Sequence, residues 1–279
     1  MKLRHAVRNE FWKLFGKKRT YIGFVMFFLA QLVMLLLFQH TRWQTSMARL
    51  LEGNGYIAAE FMSALTVAVI MLIPQILLLM PLYATLVGGD LVAKEAEDGT
   101  LRMILARPIG RLELLTAKWL AGAGFAILLV LVLGGTALGL ARLWFPWKGM
   151  FVFVPGQTFA LLDSGTGLGR YVLAHLFLAS NAFTMLSLAF MFSCFRVRPA
   201  AATILALSYL FLNLVLESIP FFDRYELWLL PHHFRCWLRV FNTPIPWWDI
   251  LQSQAILAAV NATTFIVGAV AFQSRDFKN

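Results

Sequence analysis

Six stretches carry no Asp, Glu, Lys or Arg at all: residues 20–41, 61–89, 119–141, 171–195, 199–216 and 250–274. A helix needs about 20 apolar residues to cross the hydrocarbon core of a bilayer, and each stretch meets or nearly meets that length. Inside lipid every backbone N–H and C=O has to be satisfied within the segment, so such runs fold as helices. The expected fold class is all-α: one transmembrane domain over 1–279, a polytopic membrane protein with six transmembrane helices. Composition points the same way, with 60% hydrophobic and 14% charged residues against about 25% charged in soluble domains. The second stretch is longer than a crossing needs, and Pro74 and Pro81 are expected to kink it.

The formal charge of +10 raises the question of nucleic acid. Its distribution answers against it, because the basic residues cluster at the ends of apolar runs, where they set topology. With the N-terminus inside, the inner segments 1–19, 90–118, 196–198 and 275–279 hold sixteen of the 24 Lys and Arg, and the longer outer loops hold eight. Both termini are therefore expected on the cytoplasmic side of the cell inner (plasma) membrane. Cys194 and Cys236 fall on opposite sides of that arrangement, so no disulfide is implied.

Residues 1–19 read as an interfacial amphipathic helix, with Leu3, Val7, Phe11, Leu14 and Phe15 on one stripe and Trp12 as an anchor among membrane lipids. The apolar run that follows is long and lacks an A-x-A-like site, so it is not read as a cleaved signal peptide. The outer loop 142–170 holds Trp144 and Trp147 and then the run DSGTGLG, expected to be flexible. The outer loop 217–249 is rich in aromatic residues, and short interfacial or re-entrant helices are expected there.

Catalytic patterns are missing. The spans contain no acidic or basic side chain of the kind ion-coupled carriers use, and His175 reads as a satisfied helix-end histidine. Ser180, Asn181, Ser187, Ser208, Asn213 and Asn261 either bond helices together or line a path. No G-x-S-x-G, H-E-x-x-H or G-x-x-x-x-G-K-[ST] occurs. Asp163, Ser164 and Gly165 have no partner histidine nearby in sequence, and His232, His233 and Cys236 are weak metal candidates that fit an amphipathic loop better. No metal, cofactor or nucleotide site is expected in this chain, so the energy for any uphill work has to come from another subunit.

The most patterned segment is 90–118, between the second and third spans. Gly88 and Gly89 close the span, and Asp90 enters water. Leu91 to Glu97 is expected to continue as a helix until Asp98-Gly99 stops it. Thr100 is expected to cap a new short helix on which Leu101, Ile104 and Leu105 form an apolar face, before Arg107-Pro108 ends it. A helix of under two turns is unstable alone in water, so this one has to rest on the chain's own helices or in a partner's groove.

At these residues the chain resembles the permease subunits of ABC transporters of the type-2 family, with the type V exporter-like fold. The resemblance rests on Asp90, Glu95, Gly99, Thr100, Leu101, Leu105, Pro108, Arg111 and Lys118, and more weakly on the basic elbow helix, the six spans and the closing Phe272-Gln-Ser-Arg275-Asp276. It implies a division of labour. Two permeases pair, as two copies or as siblings, and a separate ABC ATP-binding subunit that holds ATP and Mg docks on each coupling helix, here Thr100 to Ala106. Asp90, Glu95, Gly99, Thr100, Leu101, Ile104, Leu105, Pro108 and Arg111 would form that docking and coupling site, with Glu95 and Arg111 flanking it. The resemblance also implies export and no ATP hydrolysis in the chain itself. The other reading of the residues is a polytopic membrane enzyme acting on lipid at the outer face through His232, His233 and acids such as Asp223.

Overall fold

The computed structural model describes residues 3–106 and 109–275. Helix α1 (Leu3–Phe15) precedes α2 (Lys18–His40), the first of six helices long and apolar enough to cross a membrane. Two short helices follow, α3 (Trp43–Gly53) and α4 (Ala58–Phe61). The second crossing is α5 (Ala64–Pro74), a π-helical stretch Gln75–Leu79, and α6 (Met80–Asp90). Then come the short α7 (Ala93–Glu97) and α8 (Thr100–Leu105), and the long α9 (Arg111–Trp144). A hairpin of β1 (Met150–Val154) and β2 (Thr158–Leu162) leads into α10 (Ser164–Ser193) and α11 (Pro199–Glu217). A 3-10 stretch Pro220–Trp228, α12 (Leu230–Phe234), α13 (Cys236–Arg239) and α14 (Trp247–Gln273) complete the order.

The chain is thus mostly helical, and all-α needs one correction. Strands β1 and β2 pair antiparallel, with Met150 opposite Leu162 and Val154 opposite Thr158. The aromatic alternation of Phe151 and Phe153 belongs to a strand whose turn uses Gly156 at φ +72°. The hairpin is tied to the second crossing, since the Phe151 amide donates to Thr66 Oγ1 at 2.8 Å. The run DSGTGLG is not a flexible link: Asp163 Oδ2 accepts from the amides of Gly165 and Thr166 and starts α10.

Several helices overrun their charge-free windows. The third begins at Arg111 and ends at Trp144, because a helix does not stop where lipid does. The second crossing starts at Ala64 rather than residue 61, capped by Ser63 after the separate α4. Pro74 lacks an amide hydrogen, and the chain after it adopts a π turn. Pro81 sits near the start of α6, where the missing donor costs least.

Helices α6 and α10 form the middle of the bundle, where the crossing windows are 67% and 72% buried residues against 22% for the first and fifth. Close approach explains the glycines there. A Cβ at Gly88 would lie 2.3 Å from the Leu186 carbonyl oxygen, and one at Gly122 would lie 2.7 Å from Leu186 Cδ2. Polar side chains bond helix to helix: Trp119 Nε1 donates to Ser187 Oγ at 3.0 Å, Asn261 Nδ2 to Thr184 Oγ1 at 3.0 Å, and Gln31 Nε2 to the Leu133 carbonyl at 2.8 Å. His175 is buried, with Nδ1 2.7 Å from the Tyr171 carbonyl and its ring filling the notch left by Gly134. Its second nitrogen, Nε2, is buried without a hydrogen-bond partner, so the histidine is only half satisfied.

One end of the bundle gathers α1, α7, α8, the start of α9 and the last turn of α14. The other gathers α3, α4, the hairpin and the segment 220–246. The latter does hold short helices, and it is anchored: the Leu230 amide donates to Asn213 Oδ1, and Arg170 donates to the Val240 carbonyl.

Candidate functional site

The end formed by α1, α7, α8 and α9 concentrates the charges. Helix α6 does not run on through Leu91 as expected: it stops at Asp90, a turn at Leu91–Val92 intervenes, and α7 begins at Ala93. Asp98-Gly99 then ends α7, with Gly99 left-handed at φ +72°. Gly99, not Thr100, occupies the N-cap of α8, and the Thr100 hydroxyl instead donates back to the Glu95 carbonyl at 3.2 Å.

Helix α8 is seated on the chain itself. Leu101 is 1% exposed in the core, and Ile104 and Leu105 lean partly buried against it. The expected apolar face therefore looks inward. The face toward solvent carries Arg102, Met103 and Ala106, with Met103 66% exposed. Pro108 lies outside the described residues.

Beneath α8 is an ion cluster. Lys118, with a side chain 1% exposed, sits 2.6 Å from Glu10 Oε2 and 2.7 Å from Glu95 Oε2. Lys13 pairs with Glu10 and lies 3.4 Å from Glu95. Two carboxylates and two ammonium groups thus balance across α1, α7 and α9. Burial raises the Glu10 carboxyl, but Lys118 and Lys13 outweigh it and hold its pKa below the ordinary value. Burial lowers the Lys13 ammonium, and Glu10 with Glu95 more than reverses that. Nearby, Arg19 pairs with the buried Asp90 at 2.9 Å, binding the first crossing to the foot of the second. Arg111 donates to the carbonyls of Gln273 at 3.1 Å and Arg275 at 2.9 Å, and Arg275 donates to those of Cys194 and Phe195. The start of α9 is thereby fixed to the ends of α14 and α10.

Of the predicted site residues, Asp90, Glu95, Gly99, Thr100, Leu101, Ile104, Leu105 and Arg111 all lie at this end. Glu95 does not stand out at a surface flank; it is drawn inward to Lys118, with a side chain 15% exposed. Sequence reasoning missed Glu10, Lys13, Arg19 and Met103. Glu10 had a signal: it is the one acid in 1–19, and it falls in register with Leu3, Val7 and Leu14 on the apolar stripe.

The opposite end holds the weak metal candidates His232, His233 and Cys236. Among the described residues no three His, Cys, Asp or Glu side chains are grouped to hold an ion. His233 is buried between Ser253 Oγ at 3.3 Å and the Leu227 carbonyl at 2.9 Å, while Cys236 Sγ accepts from Gln254 Nε2. Burial lowers the pKa of His232 despite Glu226 at 3.5 Å. These side chains hold the segment 220–246 to α14 and to each other.

The geometry has two parts: a bundle of six membrane-crossing helices, and at one end the short α8 next to α7, which is ion-paired through Glu95 to α1 and α9. No curated protein matches the chain. The family model described as ABC-2 family transporter protein matches residues 6–224, more than half of the 279 residues. The chain is a multi-pass membrane protein and belongs to the ABC-2 transporter family.

Proposed function

We propose that the chain is the permease subunit of an ATP-driven exporter and that α8 is the handle by which a separate ATP-binding subunit moves it. One observation carries this reading: α8 is anchored inward by Leu101 while turning Arg102, Met103 and Ala106 outward. A short helix held this way is stable without a partner and still leaves a face for one. The ion cluster adds a transmission route. A push on α8 reaches α7, and through Glu95 and Lys118 it reaches α9 and α1.

In this reading ATP and Mg belong to the partner, and this chain does no hydrolysis. Two permeases pair in the inner membrane with both termini cytoplasmic. The exposed face of α11, with Ile204, Leu212 and Val215, suits a second copy or a sibling. Co-expression with the ATP-binding subunit and purification through a tag on this chain tests the handle. Met103→Asp places a charge on the outward face without touching the core, and should lose the ATP-binding subunit while the bundle inserts normally. Retention of that subunit with unchanged ATPase stimulation would refute the docking assignment.

A further inference from the structure

Helix α1 packs along the start of α9: Glu10 meets Lys118, Phe11 lies against Gly124 and Phe15 against Phe125. Beside that seam the two helices leave a groove of about 550 Å³. Its α1 wall carries Arg4, His5, Arg8 and Phe11, and its α9 wall carries Leu120 and Gly124. The two walls differ in kind. Arg4, His5 and Arg8 are exposed, whereas Leu120 and Gly124 belong to the charge-free stretch 119–141 of a membrane-crossing helix.

Charge on the α1 wall is uncompensated. Arg4 and Arg8 sit about one turn apart on α1, where like charges repel. Glu10, the one acid of α1, turns inward to Lys118 and Lys13. No carboxylate among the described residues pairs with either arginine. Two guanidinium groups so placed suit a phosphate, which each can grip through parallel N–H donors.

The apolar wall narrows the kind of phosphate. Leu120, Gly124, Ile127 and Leu131 follow one another along one face of α9, and Leu120, Ile127 and Leu131 are exposed. Ile127 and Leu131 run on, with Leu176 of α10, into a second and apolar groove. At 1.5 Å per residue this track is about 16 Å long. A free phosphate makes no use of it, while a phospholipid lays an acyl chain there. A zwitterionic head would bring its own cation to the arginines, so a head of net negative charge fits best.

We propose that this groove is a binding site for one anionic phospholipid, its phosphate on Arg4 and Arg8 and an acyl chain along Leu120, Gly124 and Ile127. The site is independent of the permease reading above, since neither α8 nor a partner subunit enters it.

The test uses the full-length chain in detergent and counts bound molecules by native mass spectrometry. The probes are dioleoyl phosphatidylglycerol, dioleoyl phosphatidylcholine and glycerol phosphate, which is the head without its chains. Phosphatidylglycerol should fill one site saturably, about tenfold or more tightly than phosphatidylcholine, and glycerol phosphate should not bind over the same range. Replacing both arginines, Arg4→Gln with Arg8→Gln, should abolish the preference. Lys18→Gln removes an exposed charge outside the groove and should leave the preference intact. Leu120→Trp crowds the apolar wall with both arginines in place and should weaken phosphatidylglycerol binding severalfold. Equal affinity for the two lipids would overturn the proposal, and so would a preference that survives loss of both arginines. A preference reduced as much by Lys18→Gln would mean attraction by net charge and no site. Tight binding of glycerol phosphate, or binding unchanged in Leu120→Trp, would sink the lipid assignment.

Discussion

Lys118 is the residue on which the charged end of the bundle turns. It is fully buried with two carboxylates, so removing it leaves both Glu10 and Glu95 facing little but Lys13. Breaking a buried ion pair from one side costs about 3–5 kcal/mol, because the remaining charge stays buried. Lys118→Met should therefore lower the thermal midpoint of the purified chain markedly, and Glu95→Lys should do the same by crowding three ammonium groups. The cluster also predicts a pH response. Glu10 is held below its ordinary value of 4.5, so its contribution is fully present above that pH and is lost as the pH falls through the lowered folded value. Thermal midpoints measured across acid pH should fall below about 4.5 in the native chain, and this part of the fall should vanish in Glu10→Gln. Lys118 was legible as a charge but not as a buried one. A lysine at the edge of an apolar window looks like a helix end until the helix is seen to run on past it.

At the scale of elements, the crossings were legible because hydropathy alone decides them, and their limits were not. Nothing in local composition tells where α9 leaves lipid, since the same helix continues through Arg111 and Trp144. The hairpin was hidden for another reason. Met150–Val154 is apolar on both faces, so strand alternation is masked, and its partner Thr158–Leu162 lies beyond a single glycine turn. Close contacts between helices are equally invisible in one sequence, yet they set sharp expectations. Gly88→Ala forces a methyl onto the Leu186 backbone and should destabilise by about 1–3 kcal/mol. Gly135→Ala, with nothing within 4 Å, should be neutral or mildly stabilising. Thermal unfolding of the two variants side by side checks the pair.

For the whole molecule, the two ends of the bundle should report from opposite sides of the membrane. Cys194 and Cys236 are both free and buried, so the native chain offers little background to a thiol reagent. A membrane-impermeant maleimide applied to intact cells should label Gly156→Cys at the hairpin turn. It should leave Met103→Cys on α8 unlabelled until the membrane is opened. Labelling of Met103→Cys from outside would invert the topology and remove α8 as a handle. The charge-rich end could be located from the sequence because basic residues cluster there. A cavity at the other end could not, because its walls come from segments far apart in the chain that meet only through the fold.

The partnership of Lys118 with Glu10 has a consequence for the order of assembly. The ammonium group is made 108 positions after the Glu10 carboxylate, so the amino-terminal helix cannot complete this pair until α9 has been made. A chain deprived of residues 3–15 would leave Lys118 with Glu95 alone to balance it in this cluster.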